Sequence, residues 1–99
     1  MLYLVSWTIP MENRDAAIER FLKTGAQPHD KVVLHGRWHA VGHMLGFGLA
    51  EAESPIEIQR WMMQWNDLLD MQVHPALTDQ DLAPLMAEVM QQRKQEFNR

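Results

Sequence analysis

The sequence contains no cysteine, which excludes thiolate nucleophiles, CxxC redox pairs and zinc fingers. It has no surplus of positive charge either. Nine Lys plus Arg stand against 13 Asp plus Glu, a formal net charge of -4, and no block of five like charges occurs. The electrostatic footprint that nucleic acid or an anionic membrane requires is therefore missing. No apolar run approaches the ~20 residues of a membrane span. The opening Met1-Leu2-Tyr3-Leu4-Val5 lacks the basic flank and small-residue cleavage site of a signal peptide, so the expectation is a cytoplasmic protein with neither nucleic acid nor membrane as partner. There is no GxSxG, P-loop or GxGxxG, and Gly46-Phe47-Gly48 is too short for a nucleotide loop.

What the chain does have is 99 residues, 46% of them hydrophobic, including four Trp and eight Met. This composition predicts one domain over residues 1–99, with a core in residues 1–78 and the methionines as core filling. Folding at this length buries roughly 65% of the extended-chain surface, enough for a thin core without a metal.

Leu2 to about Ile9 reads as a strand closed by Pro10, which cannot donate to a sheet ladder. A helix follows from about Asn13 as cap, with Ala17, Ile18, Phe21 and Leu22 on one stripe and Gly25 as its left-handed stop. Asp30 to Ala40 and His43 to Glu51 form a hairpin about Val41-Gly42. Ser54-Pro55-Ile56-Glu57 predicts a second helix opened by a capping box, with Ile58, Trp61, Met62 and Trp65 facing the core. Leu68 to Pro75 is a fourth strand. A last helix runs from about Asp81 to Phe97, with Pro84 placed in its first turn and Leu82, Leu85, Met86, Val89, Met90 and Phe97 as its apolar stripe.

Strand, helix, hairpin, helix, strand is the α+β, ferredoxin-like βαββαβ pattern, with antiparallel order 4-1-3-2 and a C-terminal helix added. With an even hairpin loop, Tyr3, Val5, Trp7, Leu34, Trp38, Leu45, Phe47, Leu49, Leu69, Met71 and Val73 share the face beneath the helices. Ser6, Thr8, His35, Arg37, His39, Asp70, Gln72 and His74 then share the opposite face, with Gly46 and Gly48 leaving clearance. An odd loop with Gly42 in a bulge would flip the parity of one strand.

Leu4-Val5-Ser6-Trp7-Thr8, Gly36-Arg37-Trp38-His39, Gly46-Phe47 and Trp61 through Trp65-Asn66-Asp67-Leu68-Leu69-Asp70 resemble a bacterial family of short ferredoxin-like proteins, domain of unknown function 3303, over Met1 to about Leu85. That family is similar to the dimeric α/β barrel group, in which two sheets pack face to face. The resemblance implies the fold and a homodimer, and it brings no reaction. Haem-degrading members of that group use a Trp with a His. Trp61 or Trp65 with His74 compares poorly, because Ser6 or Trp7 stands where those enzymes carry Asn.

His35, His39 and His43 recur every four residues, but on a strand His35 and His39 lie about 13 Å apart, so one metal cannot take both. No metal and no cofactor is expected. Arg37 between two histidines offers a fork for a carboxylate or phosphate beside groups that titrate near neutrality; the bland alternative is a pair with Asp70 or a helix carboxylate. Leu45-Gly46-Phe47-Gly48-Leu49-Ala50 echoes the RNA-recognition strand, but Leu45 replaces its basic residue and Leu49 its second aromatic. The ligand-binding candidates are Arg37, His35, His39 and His74. They predict a homodimer that binds a small polar or anionic molecule, with histidine acid–base chemistry of isomerase or cofactor-free monooxygenase type by fold analogy. The alternative is a non-catalytic dimerisation module with the same face as its seam.

Overall fold

The computed structural model describes residues 1–97. Four strands, β1 (Leu2–Thr8), β2 (Val32–His39), β3 (Leu45–Ala52) and β4 (Asp70–Ala76), form one antiparallel sheet in the order β2-β3-β1-β4. Three helices, α1 (Arg14–Thr24), α2 (Pro55–Met62) and α3 (Asp79–Phe97), complete the α+β chain. Element order and strand order are those expected from the sequence. Among the described residues no helix is long and apolar enough to cross a membrane.

The helix boundaries follow local chemistry, with three departures. A 3-10 turn at Met11–Asn13 precedes α1, and Asn13 does not cap it; its Nδ2 donates instead to Leu68 O at 3.0 Å, tying the turn to the approach of β4. Ser54 makes no side-chain cap on α2. The Glu57 carboxylate is held by Arg60 Nε at 3.0 Å, so the expected capping box does not form and Pro55 alone sets the helix start. The reciprocal box appears at α3, where Thr78 N–H donates to Asp81 Oδ2 at 3.2 Å and Asp81 N–H to Thr78 Oγ1 at 3.1 Å. That start at Asp79 moves Pro84 out of the first turn and leaves Gln80 O without its amide partner.

The core lies under α2. Ile58, Trp61, Met62 and Trp65 are all buried, as their spacing predicts, against Tyr3, Val5, Val32, Ala50 and Ala52. α1 buries only Ala17 fully, with half-buried Phe21 packed against the core, while Leu22 on its expected apolar stripe is 79% exposed. Behind α2, Arg20 of α1 closes on Asp67 with two bonds of 2.7 and 2.8 Å. These hold the Asp67 carboxyl below its ordinary range. Any stabilisation from this exposed pair is present above the usual carboxylate range and fades as pH falls through the Asp67 value.

The face assignment needs correction. Val32 and Leu34 pair with Ala52 and Ala50, but a bulge at His35 moves the register by one, so Arg37 and His39 pair with Gly48 and Gly46. One extra residue flips side-chain parity. Val32, Leu34, Arg37 and His39 therefore share the helix-covered face with Tyr3, Val5 and Trp7. Trp38, Leu45, Phe47 and Leu49 go to the open face beside Leu4, Ser6, Gln72 and His74. The reason is volume. The covered half of β3 is Gly46, Gly48, Ala50 and Ala52, small residues that make room for indole rings.

Gly46 is the seat of the Trp7 indole, which a Cβ there would overlap. Gly46→Ala is expected to cost about 1–3 kcal/mol by overpacking, with loss of near-ultraviolet circular dichroism as Trp7 is displaced. Gly48→Ala, whose Cβ would meet neighbours at 3.6–3.7 Å, is expected to be nearly neutral. Equal urea midpoints for the two variants would contradict this assignment of Trp7.

α3 leaves the body altogether. All of its side chains are exposed except a half-buried Leu82, and it stretches the molecule to 63 Å with a radius of gyration of 18.3 Å. A compact chain of this length measures about 13 Å.

Candidate functional site

Because α1 stands off from the sheet, a cavity of about 220 Å³ remains between them. Trp7 and Val5 of β1, Leu34 of β2 and Gly48 of β3 form its floor. Phe21 of α1, Trp61 of α2 and Trp65 just beyond it supply the remaining walls. Among the described residues, Arg37 and His39 are the titratable side chains of the lining.

The cluster His35, Arg37, His39 and His74 does not assemble. Arg37 and His39 meet in the cavity. His35 sits in the bulge, with Nε2 2.7 Å from Glu51 Oε1 and both side chains exposed. His74 pairs opposite Leu4 and stands on the open face. A sheet thickness separates it from Arg37. The alternation of β2 concealed this, because a bulge leaves no mark in a hydrophobicity pattern that is half polar on either reading.

Arg37 is engaged by the backbone. Its Nη1 donates to Ala26 O at 2.8 Å and its Nη2 to Gly25 O at 3.0 Å, while the guanidinium lies 5.0 Å from the centre of the Phe21 ring. Gly25 and Ala26 both have positive φ, 71° and 51°, so the last turn of α1 presents its carbonyls outward. A cation at the negative end of a helix is favourable. Burial pulls the Arg37 pKa down from its ordinary value, yet a guanidinium stays charged. The expected fork for a ligand anion, or a pair with Asp70, is thus replaced by a clamp between β2 and the end of α1.

His39 stands edge-on to Trp7 and Phe21, with ring centres 6.1 and 6.0 Å away. Its imidazole can both donate and accept a hydrogen bond within the lining. Sequence reading missed the site's walls, since Trp61 and Trp65 at helical spacing read as core; they are core and wall at once. The available signal was the run of small residues on β3, on the same side as Trp7, Trp61 and Trp65. Among the described residues, no group of three His, Asp or Glu side chains is placed to hold a metal ion.

No curated protein matches the chain. The family model described as Domain of unknown function (DUF3303) matches residues 1–90, from β1 well into α3, and the chain belongs to that family.

Proposed function

We propose that the protein binds a small, largely apolar molecule in the cavity between α1 and the sheet. The observation that supports this most directly is the cavity itself. About 220 Å³ of space is walled by Trp7, Phe21, Trp61 and Trp65, with two polar groups at fixed positions. Ligand sites have this makeup, mostly apolar with a few placed polar groups. Unfilled apolar space also forfeits dispersion contacts that a ligand restores. The polar or anionic ligand suggested by Arg37 loses its basis once Gly25 and Ala26 occupy the fork. His39 is the residue to which we assign any proton transfer on a bound molecule, of the isomerase or cofactor-free monooxygenase type.

We read the assembly as a ferredoxin-like homodimer of the dimeric α/β barrel kind. Its support is the open sheet face, where Leu4, Val33, Trp38 and Phe47 are all exposed on one side. Contiguous apolar surface of this sort marks an interaction site. The same observation favours a second reading, a non-catalytic interaction module.

Cavity filling separates the two. Gly48→Val places a Cβ in ordinary contact with Leu34 and Trp7 and adds two methyl groups beyond it, in a strand that favours β-branched residues. It is expected to preserve the fold and reduce uptake of 1-octanol at least tenfold, followed by the shifts of tryptophan indole N–H resonances. Unchanged uptake would remove the cavity as the site, and no uptake by the unsubstituted protein would favour the interaction module.

A further inference from the structure

A second hollow of about 400 Å³ opens between the Gln27–His29 segment and α2. It shares Ala26, Trp61 and Trp65 with the first, so the two lie side by side across those residues. Their chemistry differs. Arg20, His29 and Arg60 line the second hollow and no acidic side chain does, in a chain whose net charge is -4. The acids nearby are turned to other work. Asp67 is bound by Arg20 at 2.7 and 2.8 Å, and Glu57 by Arg60 at 3.0 Å.

Two polar atoms of these walls are buried without a hydrogen-bond partner, Trp61 Nε1 and His29 Nε2. Trp61 is only 7% exposed, and its indole N–H can donate but not accept. Glu57 Oε1 lies 3.7 Å from His29 Nε2, beyond hydrogen-bonding range. A buried donor left unmade costs about 1–3 kcal/mol and is uncommon in folded proteins. Both belong to residues that line the hollow: the Trp61 indole N–H lacks an acceptor, and His29 Nε2 lacks one in the tautomer that carries its proton there.

We infer that the ligand is amphipathic, with an apolar body in the tryptophan-walled cavity and a carboxylate head in the neighbouring hollow. This inference rests on the cavity reading above and names its substrate class. One carboxylate oxygen accepts from Trp61 Nε1–H and the other from His29 Nε2–H. Arg20, whose fork is taken up by Asp67 and Gln64 O, and Arg60, held at Nε by Glu57, contribute a positive field in place of a bidentate grip. This suits a single negative charge better than a phosphate dianion.

The test uses the full chain and two probes of equal length, octanoate and 1-octanol, titrated against the four tryptophan indole N–H resonances. Octanoate is expected to bind at least tenfold more tightly than octanol and to move the Trp61 indole resonance downfield, as a new acceptor does. His29→Leu is expected to lower octanoate affinity about tenfold and leave octanol affinity unchanged, which also shows that the variant is folded. Arg60→Ala should weaken octanoate severalfold by reducing the local field. Equal affinity for the two probes, or loss of both in a folded His29→Leu, would overturn the carboxylate assignment while the cavity reading stands. Failure of both probes to bind would overturn the two together.

Discussion

Phe47→Asp is expected to turn the proposed homodimer into a folded monomer. Phe47 sits on β3 with Ser6 and Trp38 as its cross-strand neighbours, near the middle of the open face, and is 47% exposed in the single chain. Trp38, 59% exposed, folds over Gly36, where a Cβ would overlap its ring. Two aromatic rings held rigidly on a flat sheet have the character of an interface hot spot, where truncation typically costs 2 kcal/mol or more. A carboxylate at this position must also be desolvated on association, against its own symmetry mate if the two sheets meet about a two-fold axis. The combined penalty is about 2–4 kcal/mol, or roughly 30- to 1000-fold in dissociation constant. The cost to the monomer is small, because one side of the ring is already in water. Light scattering across a concentration series measures the first quantity and a urea titration the second. A monomeric parent protein at micromolar concentration would remove the face-to-face dimer. A dimeric Phe47→Asp variant would move the interface elsewhere, with the unpacked stripe of α3 as the next surface to substitute.

The order of the elements was legible because each is punctuated by a residue with a physical reason to be there. Pro10 ends β1, Gly25 closes α1 in a left-handed conformation, and Pro55 opens α2. The buried stripe of α2 was legible for the same reason, since four large apolar residues at helical spacing have one efficient way to leave water. Side-chain direction in the hairpin was not. It depends on a single bulged residue at His35, which costs nothing that local sequence records. From there the error propagated: a one-residue shift exchanges Arg37 and His39 with Trp38 across the sheet, while the regular pairing of Phe47 with Ser6 puts that ring on the open face, so the polar cluster dissolves and an apolar open face takes its place. Capping was legible in kind and not in position, because Glu57 has Arg60 within reach whereas Thr78 and Asp81 have only each other. The cavity could not be read from the chain at all. It exists because α1 carries small Ala17 at its contact and leaves Leu22 outside, a packing distance that periodicity does not encode.

Arg37→Ala should then be one of the most destabilising single substitutions available outside the α2 core. The wild-type side chain makes two charge-assisted bonds, to Gly25 O and Ala26 O, and lies over Phe21. Hydrogen bonds to charged groups contribute about 1.5–3 kcal/mol each and a partly desolvated cation–π contact about 1 kcal/mol. The guanidinium is only half-buried, and deleting it also returns the desolvation that lowers its pKa, so the sum falls to roughly 2–3 kcal/mol. For a chain of this size that is a fall of about 8–20 °C in Tm. The clamp also restrains Ala26 at a φ of 51°, a conformation costing a non-glycine residue about 1–2 kcal/mol, so its loss frees the Gly25–Ala26 segment to relax. That segment borders both hollows. Arg37→Ala is therefore expected to weaken octanol and octanoate alike, by a similar factor, which a head-group contact would not do. Arg37→Lys should recover little, because one ammonium cannot reproduce a planar fork to two carbonyls. Stability within 0.5 kcal/mol of the parent, joined to selective loss of the anionic probe, would instead make Arg37 a ligand anchor and cancel its role as the tie between β2 and α1.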